Sequence, residues 1–282
     1  MPKDCLICGN NDGKIVFTEF GIGIIKCRHC GHIYSSYTTD QHYDEYFDDI
    51  ERMSDDIPWW DQAHRAIYDD FCTRYIVNKS GKLLDAGCGL GFFVKKMREF
   101  TNWESFGYEI SAPAVQFARD KLHLDNVSCG KVEESSYRDC EFDIITLWDV
   151  IEHLSQPDEL LSYLHRILKP DGMLFIHTPN IWFQLPKARL KRLIKGMNHD
   201  IHYLEAKDHI NIYSMRTISK LLQRNGFSKV RFTHLKPIQA VSGSESNFSV
   251  PIKNLWHHSS KLIFHITLGR INFNNLFVEA IK

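Results

Sequence analysis

With 282 residues, 43% of them hydrophobic, the chain is long enough for one full-sized α/β domain and a small appendage. A formal net charge of −1 gives no global attraction to nucleic acid or to an anionic membrane, although a local basic patch is compatible with it. Residues 1–10 are polar and already contain Cys5 and Cys8, unlike a secretory signal, and no run of 18 apolar residues marks a transmembrane helix. A reducing, cytoplasmic setting is therefore expected.

Residues 1–36 are rich in glycine and cysteine. Cys5-x2-Cys8 and Cys27-x2-Cys30 are separated by eighteen residues, and each pair is followed by a glycine, Gly9 or Gly31. Such a knuckle aims two thiolates at one point. Four thiolates satisfy tetrahedral Zn²⁺ and leave no open position, so the expected metal is structural, and its binding supplies folding energy to a segment too small to bury a core. Accidental free thiols or a redox pair are the alternative. His29 and His32 are expected at the surface rather than as ligands. The other four cysteines, Cys72, Cys88, Cys129 and Cys140, are isolated and read as reduced thiols in or near a core.

Residues 37–62 are acidic and aromatic, with Tyr43, Tyr46 and Trp59 among the aromatics. Residues 62–77 carry helical spacing in Ala63, Ile67, Tyr68, Phe71 and Tyr75. Strands and helices then alternate: a strand over 82–86, a helix over 92–100, a strand over 105–109, a helix over 112–121 capped by Ser111, and a short strand over 126–128. Residues 142–148 (FDIITLW) form the near-continuous apolar run of a strand covered on both faces. A helix over 157–168 closes at the turn Lys169-Pro170-Asp171-Gly172. A strand over 173–177, a helix over 214–225 ending at Gly226, and strands over 227–235 and 273–281 follow. This alternation implies an α/β fold with a mostly parallel sheet and helices on both faces.

The stretch Asp85-Ala86-Gly87-Cys88-Gly89-Leu90-Gly91 joins a strand to a helix. Its glycines let backbone approach a ligand closely. The spacing differs from the dinucleotide fingerprint, whose last glycine comes three residues after the second. Eighteen residues beyond Gly91 stands Glu109, at a strand end where a carboxylate can accept both hydroxyls of a ribose; taken alone it fits nicotinamide cofactors equally well, or is an exposed strand-end acid.

Acid-x-Gly-x-Gly-x-Gly resembles the first motif of the class I S-adenosylmethionine-dependent methyltransferases, and Asp85, Gly87, Gly89 and Gly91 match it in full. The resemblance implies a Rossmann-like sheet with the last strand antiparallel, and S-adenosyl-L-methionine as cofactor. The loop would hold its amino acid half and Glu109 its ribose. Where the family places an acid near the adenine, this chain has Lys131, so adenine recognition would rest on the backbone around Val132. After the fourth strand, Asp149-Val150-Ile151-Glu152-His153-Leu154 lies where the methyl acceptor meets the cofactor in this family, and Asp149 joins the expected cofactor contacts.

The stretches Leu168 to Leu174 and His209-Ile210-Asn211-Ile212-Tyr213-Ser214 look like the branch that includes ubiquinone-pathway O-methyltransferases and modifiers of sugars and polysaccharides. The ribbon ending Cys-x-x-Cys-Gly-His-Ile-Tyr is similar to that of its polysaccharide members. Methyl transfer to a hydroxyl needs alignment, exclusion of water and a base; His153 and His209 are the candidates. Some ubiquinone-type and small-RNA methyltransferases hold a divalent cation through acid-x-x-Glu-His and a distant histidine, which Asp149, Glu152 and His153 resemble, with His209 or His202 as the distal ligand. Mg²⁺ would be an alternative there, although it prefers oxygen ligands.

Lys187, Arg189, Lys191, Arg192 and Lys195 form a basic run, read as a solvated helix face or, by the resemblance, part of a substrate lid near 181–212. Leu255-Trp256 and 261–266 form an amphipathic stretch for which core packing is expected over membrane contact. The chain thus divides into a ribbon (1–36), a helical cover of the active site (37–78) and a methyltransferase domain (79–282), with no indication of oligomeric state. The expected function is O-methylation of a saccharide, glycan precursor or other small metabolite. An RNA-modifying enzyme that grips RNA with the ribbon and 187–195 is the second reading, disfavoured by the near-neutral charge; a cofactor-fold module without catalysis is the third.

Overall fold

The computed structural model describes residues 4–37, 57–199, 201–236 and 249–282, leaving aside the side chains of 58–60 and 249–254. Tyr43 and Tyr46, and the side chain of Trp59, lie outside the described residues.

The main sheet contains β4 (Gly81–Ala86), β5 (Trp103–Glu109), β6 (Val127–Cys129), β7 (Phe142–Trp148), β8 (Leu168–Thr178), β10 (Lys229–Thr233) and β11 (Leu276–Ile281). Its order is β10-β11-β8-β7-β4-β5-β6. The strands from β6 to β8 pair in parallel, and β11 runs antiparallel to both β8 and β10. The apolar run over β7 is buried at every position but Asp143, as a central strand covered on both sides requires.

Helices α1 (Ile57–Tyr75), α2 (Phe92–Met97), α3 (Ala112–Leu122), α4 (Pro157–Ile167), α5 (Ile181–Lys195), α6 (Met215–Arg224) and α7 (Ser249–Ile266) complete the chain. Ser111 caps α3 by accepting from Ala114 N, and Ser214 forms a capping box with Thr217 at α6; each satisfies amides that a helix start leaves orphaned. The predicted turn Lys169–Gly172 lies within β8 as an irregularity. Pairing with β7 skips between Phe142 and Ile144, and Asp171 takes φ 61°.

A second sheet has order β1-β2-β3-β9, from β1 (Gly13–Glu19), β2 (Ile22–Cys27), β3 (Ile33–Ser35) and β9 (Asn211–Ile212). The last strand comes from the stretch His209 to Ser214, where the sequence pattern marks no strand. It pairs Ile33 with Ile212 and Tyr34 with Asn211. One core joins Cys5, Ile7, Cys27 and Tyr34 to Tyr213, Ile218, Leu221 and Leu222.

Three expectations are corrected. His32 is 1% exposed, not at the surface, because its ring lies between Tyr34 and Tyr213 and its Nε2 bonds Asn211. Cys129 and Cys140 are exposed, whereas Cys72 and Cys88 are buried. In α7, Phe264 and Ser260 are buried, but Leu255, Trp256, Leu262 and Ile266 stand in solvent instead of packing in a core.

Candidate functional site

At the carboxyl ends of β4, β5 and β7 the chain leaves a cleft of about 350 Å³, within the range of small-molecule sites. β4 delivers Asp85, and the loop after it turns through left-handed backbone at Gly87, Gly89 and Gly91, with φ of 78°, 52° and 84°. The amides of Gly87 and Cys88 both donate to the Tyr108 carbonyl, at 2.7 and 3.0 Å, which ties the loop to β5. A Cβ on Gly87 would stand 2.6 Å from Val150 Cγ2, and one on Gly91 would stand 2.8 Å from Leu124 Cδ1. Neither position has room for a side chain, apart from the strain of positive φ.

Glu109, at the end of β5, accepts from Gly89 N at 2.8 Å and from Ser111 N at 2.9 Å. Burial raises its carboxyl above the ordinary value, against the pull of these amides. Asp85 is buried and accepts from Thr146 Oγ1 at 2.7 Å. Burial pushes it up to about 7, opposed by that hydrogen bond and assisted by the charge of Glu109.

The cleft is lined by Asp85, Gly87, Gly89, Glu109, Val132, Asp149 and His153. Gly91 and His209 are not among the lining residues; Gly91 serves close packing of the loop on α3 and the turn after it. Lys131 and Glu133 do line it, beside Val132.

Asp149 follows β7 in left-handed backbone, φ 51°. Its Oδ2 lies 3.0 Å from His177 Nδ1, and Asn275 Nδ2 donates to His177 Nε2 at 3.1 Å. That pair of contacts selects the tautomer that donates to Asp149. Burial alone would raise Asp149, but His177, with His64 and His153, outweighs it and holds the carboxyl below its ordinary value.

His153 lies 3.0 Å from the Asp208 carbonyl through Nδ1, so the proton sits on Nδ1 and the lone pair on Nε2. Burial, helped by His209, lowers its pKa to about 4, and the imidazole is neutral at pH 7. Its ring centroid is 5.0 Å from that of His209. His209 lies behind the cleft, with Nδ1 3.1 Å from the Leu204 carbonyl and Nε2 3.2 Å from Glu205. Glu152 is fully buried. Thr178 donates to its Oε2 at 2.9 Å, and its Oε1 has no hydrogen-bond partner. Donor atoms of Glu152, His153 and His209 lie within 4.8 Å of one another; Asp149 and His202 are not part of that group.

Sequence reasoning missed the aromatic wall of the cleft, formed by His64 and Tyr68 of α1 and Trp148 of β7. Tyr68 meets Trp148 edge-on at 5.2 Å and stacks on His64 at 5.7 Å. Tyr68 was legible only as one apolar position of a helix, and His64 gave no signal. His177 was missed for the same reason, as a strand residue whose partner is 28 positions away.

At the other end of the chain, Cys5 Sγ lies 3.5 Å from Cys30 Sγ and Cys8 Sγ 3.6 Å from Cys27 Sγ. All four sulfurs fall within 4.8 Å of one another. Tetrahedral zinc with bonds of about 2.3 Å sets its sulfurs about 3.8 Å apart, so the donor set fits.

Comparison with known proteins adds a family. The ubiquinone biosynthesis O-methyltransferase of Neisseria meningitidis serogroup C is 25% identical over 150 residues, 48% of this chain and 62% of that protein. The mitochondrial enzyme of the same description from Schizosaccharomyces pombe is 32% identical over 135 residues, 42% of this chain and 49% of the relative. The match thus spans only about half to three-fifths of these relatives. Among solved structures, the Haloferax volcanii complex between the Trm112 methyltransferase activator and a methyltransferase gives a TM-score of 0.57 at 15% identity, covering 86% of this chain and 99% of that one. Phosphoethanolamine N-methyltransferase 2 of Haemonchus contortus gives 0.55 at 14% identity, covering 89% and 63%. At such identities these show a shared fold. The profile of a methyltransferase-domain family matches residues 59–231, more than half of the chain, and the chain belongs to that family.

Proposed function

We propose that this chain transfers a methyl group from S-adenosylmethionine to a hydroxyl of a small acceptor. The observation that carries the reading is the clamp in which the Glu109 carboxylate accepts from Gly89 N across the glycine loop inside the cleft. That bond leaves lone pairs of a buried carboxylate for ribose hydroxyls. Gly87 and Gly89 present backbone to the ligand, Asp85 places a carboxylate for an ammonium, and the backbone beside Val132 closes the adenine end. When bound, the cofactor supplies a methyl on a sulfonium; the protein aligns the acceptor and keeps water out.

His153 is the residue we assign to the acceptor proton. It lines the cleft and is neutral at pH 7. His209 supports it from behind. The relatives named as ubiquinone biosynthesis O-methyltransferases favour oxygen as the methylated atom. The aromatic wall of Tyr68 and Trp148 suits a flat ring or the apolar face of a sugar, so phenols and saccharides both belong in the acceptor class. The RNA reading gains little, since Arg189 donates to the Val16 carbonyl and Arg192 sits over the Phe17 ring rather than being set aside for phosphate.

A second reading of the same corner rests on the convergence of Glu152, His153 and His209 and on the orphaned Oε1 of Glu152. These residues would hold a divalent cation, which would lower the pKa of an acceptor hydroxyl. Cys5, Cys8, Cys27 and Cys30 would hold a structural zinc.

The test is calorimetric binding of S-adenosylhomocysteine, followed by transfer of labelled methyl to a panel of phenols and nucleotide sugars. Absence of cofactor binding would sink the proposal.

A further inference from the structure

Five large apolar side chains stand in solvent along one face of α5: Trp182, Leu190, Leu193, Ile194 and, just past its end, Met197. Leu193 is 83% exposed and Trp182 72%. At 100° per residue they fall within about one-third of the helix circumference. On the opposite face Ile181 and Ala188 are buried against Phe17, Ile24 and Ile33 of the small sheet. The apolar face is therefore additional to the one that holds the helix in place.

α7 repeats the arrangement. Leu255, Leu262 and Ile266 share an exposed face, while Ser260 and Phe264 point inward, and Leu268 and Ile271 extend the exposed surface beyond the helix. The two helices meet. Phe183 of α5 and Trp256 of α7 have ring centroids 5.7 Å apart, and Asn180, the N-cap of α5, donates to the carbonyls of Asn272 and Asn274.

The charge of these segments is one-sided. Residues 181–199 contain five Lys or Arg and no Asp or Glu; residues 249–278 contain Lys253, Lys261 and Arg270 and again no acid. Arg189 and Lys191 are held to the Val16 and His202 carbonyls and Arg192 over the Phe17 ring, whereas Lys187 and Lys195 are exposed beside the apolar face; the first acids after these segments are Asp200 and Glu279. Tryptophan and leucine on one face, bordered by lysine and arginine, is the pattern of helices that lie in a membrane interface. Lysine and arginine stems reach past apolar surface to keep their heads at phosphate level.

We propose that α5 and α7 together form a docking face for an anionic phospholipid bilayer, on which the protein lies without crossing. No described helix is long and apolar enough to span a membrane. A second copy of the chain is the poorer occupant, because a two-fold contact through this face would set its cations against the same cations. α5 begins just after β8, at the same edge of the sheet as the cleft. A docked protein would thus hold its cleft near the lipid surface.

The full chain should float with vesicles of phosphatidylcholine containing about one-third phosphatidylglycerol in low salt, and not with pure phosphatidylcholine. Raising NaCl to about 0.5 M should weaken binding strongly. Leu193→Glu with Ile194→Glu should abolish flotation, and Lys187→Gln with Lys195→Gln should weaken it about fivefold per cation removed. All four side chains stand in solvent, so unfolding midpoints should not move, and the lysine pair keeps the test readable if the glutamate pair misfolds. No flotation at low salt, or flotation indifferent to both pairs, would overturn the proposal. So would a concentration-dependent dimer that the glutamate pair dissolves, which would assign the face to a second copy.

Discussion

His32 and Asn211, 179 residues apart in the chain, meet in the interior with His32 Nε2 3.1 Å from Asn211 Oδ1. Asn211 also donates through Nδ2 to the Leu154 carbonyl at 2.7 Å and through its amide to the Glu152 carbonyl at 2.9 Å. One carboxamide thus ties the cysteine-bearing sheet to the segment that carries His153. Asn211→Ala would leave the buried His32 Nε2 and the half-buried Leu154 carbonyl without this partner, at about 1–3 kcal/mol for the buried group and less for the other. We expect a loss of about 2–4 kcal/mol in urea unfolding with an unchanged slope. An unmoved midpoint would show that the link does not stabilise the fold.

Metal content tests the cysteine cluster. Purified protein should carry about one zinc per chain by elemental analysis, and Cys27→Ser should reduce it. Because Cys5, Cys27 and Cys30 share a core with Leu221 and Leu222 of α6, stripping the metal should lower the thermal midpoint of the whole chain. A well-folded, metal-free N-terminal segment would remove zinc from the account.

Glu109→Gln tests the clamp. The amide keeps the shape but loses the charge and one acceptor. Hydrogen bonds to charged groups are worth about 1.5–3 kcal/mol, so affinity for S-adenosylhomocysteine should fall about 10- to 150-fold. Stability should hold, since burial already disfavours the charged carboxylate. Unchanged affinity would place the ribose elsewhere.

Asp85 sets a pH dependence. Its carboxyl is raised from 3.8 to about 7 by burial, so the folded protein binds this proton more tightly than the unfolded chain does. The stability that follows is fully present below about pH 4 and is lost as pH rises through about 7. A cationic ligand beside Asp85 favours the ionised form, so cofactor affinity should climb over the same interval with release of a proton. Calorimetry in buffers of different ionisation enthalpy measures that proton, and Asp85→Asn should flatten both trends. Affinity that is flat from about pH 5.5 to 8 would contradict the assignment.

His153→Ala should leave cofactor affinity nearly intact and lower turnover on the true acceptor by about 10²–10⁴-fold. Chelators separate the two readings of this corner. Wild-type turnover indifferent to chelation, at constant zinc content, supports the base. Loss on chelation that Mg²⁺ or another divalent ion restores supports the cation held with Glu152 and His209. A variant with normal turnover would leave alignment alone as the source of catalysis.

Much of the fold was legible because its signals are local. The apolar run of β7, the serine cap of α3, and the glycines that need positive φ each depend on a few adjacent residues and on backbone sterics. The spacing of Cys5, Cys8, Cys27 and Cys30 is equally local, because one turn per pair suffices to aim two sulfurs. What the tertiary structure decided are partnerships between distant residues. The burial of His32, the two-residue β9 that completes a sheet begun far upstream, and the pairing of His177 with Asp149 all depend on which surfaces meet. So does the face of α5 and α7 left in solvent: helical spacing shows that Leu193 and Ile194 share a side, but a helix apolar on two faces does not reveal which one the core will take. That choice depends on how well Ile181 and Ala188 fill the space against Phe17 and Ile24, and packing of this kind exists only once the whole chain has folded.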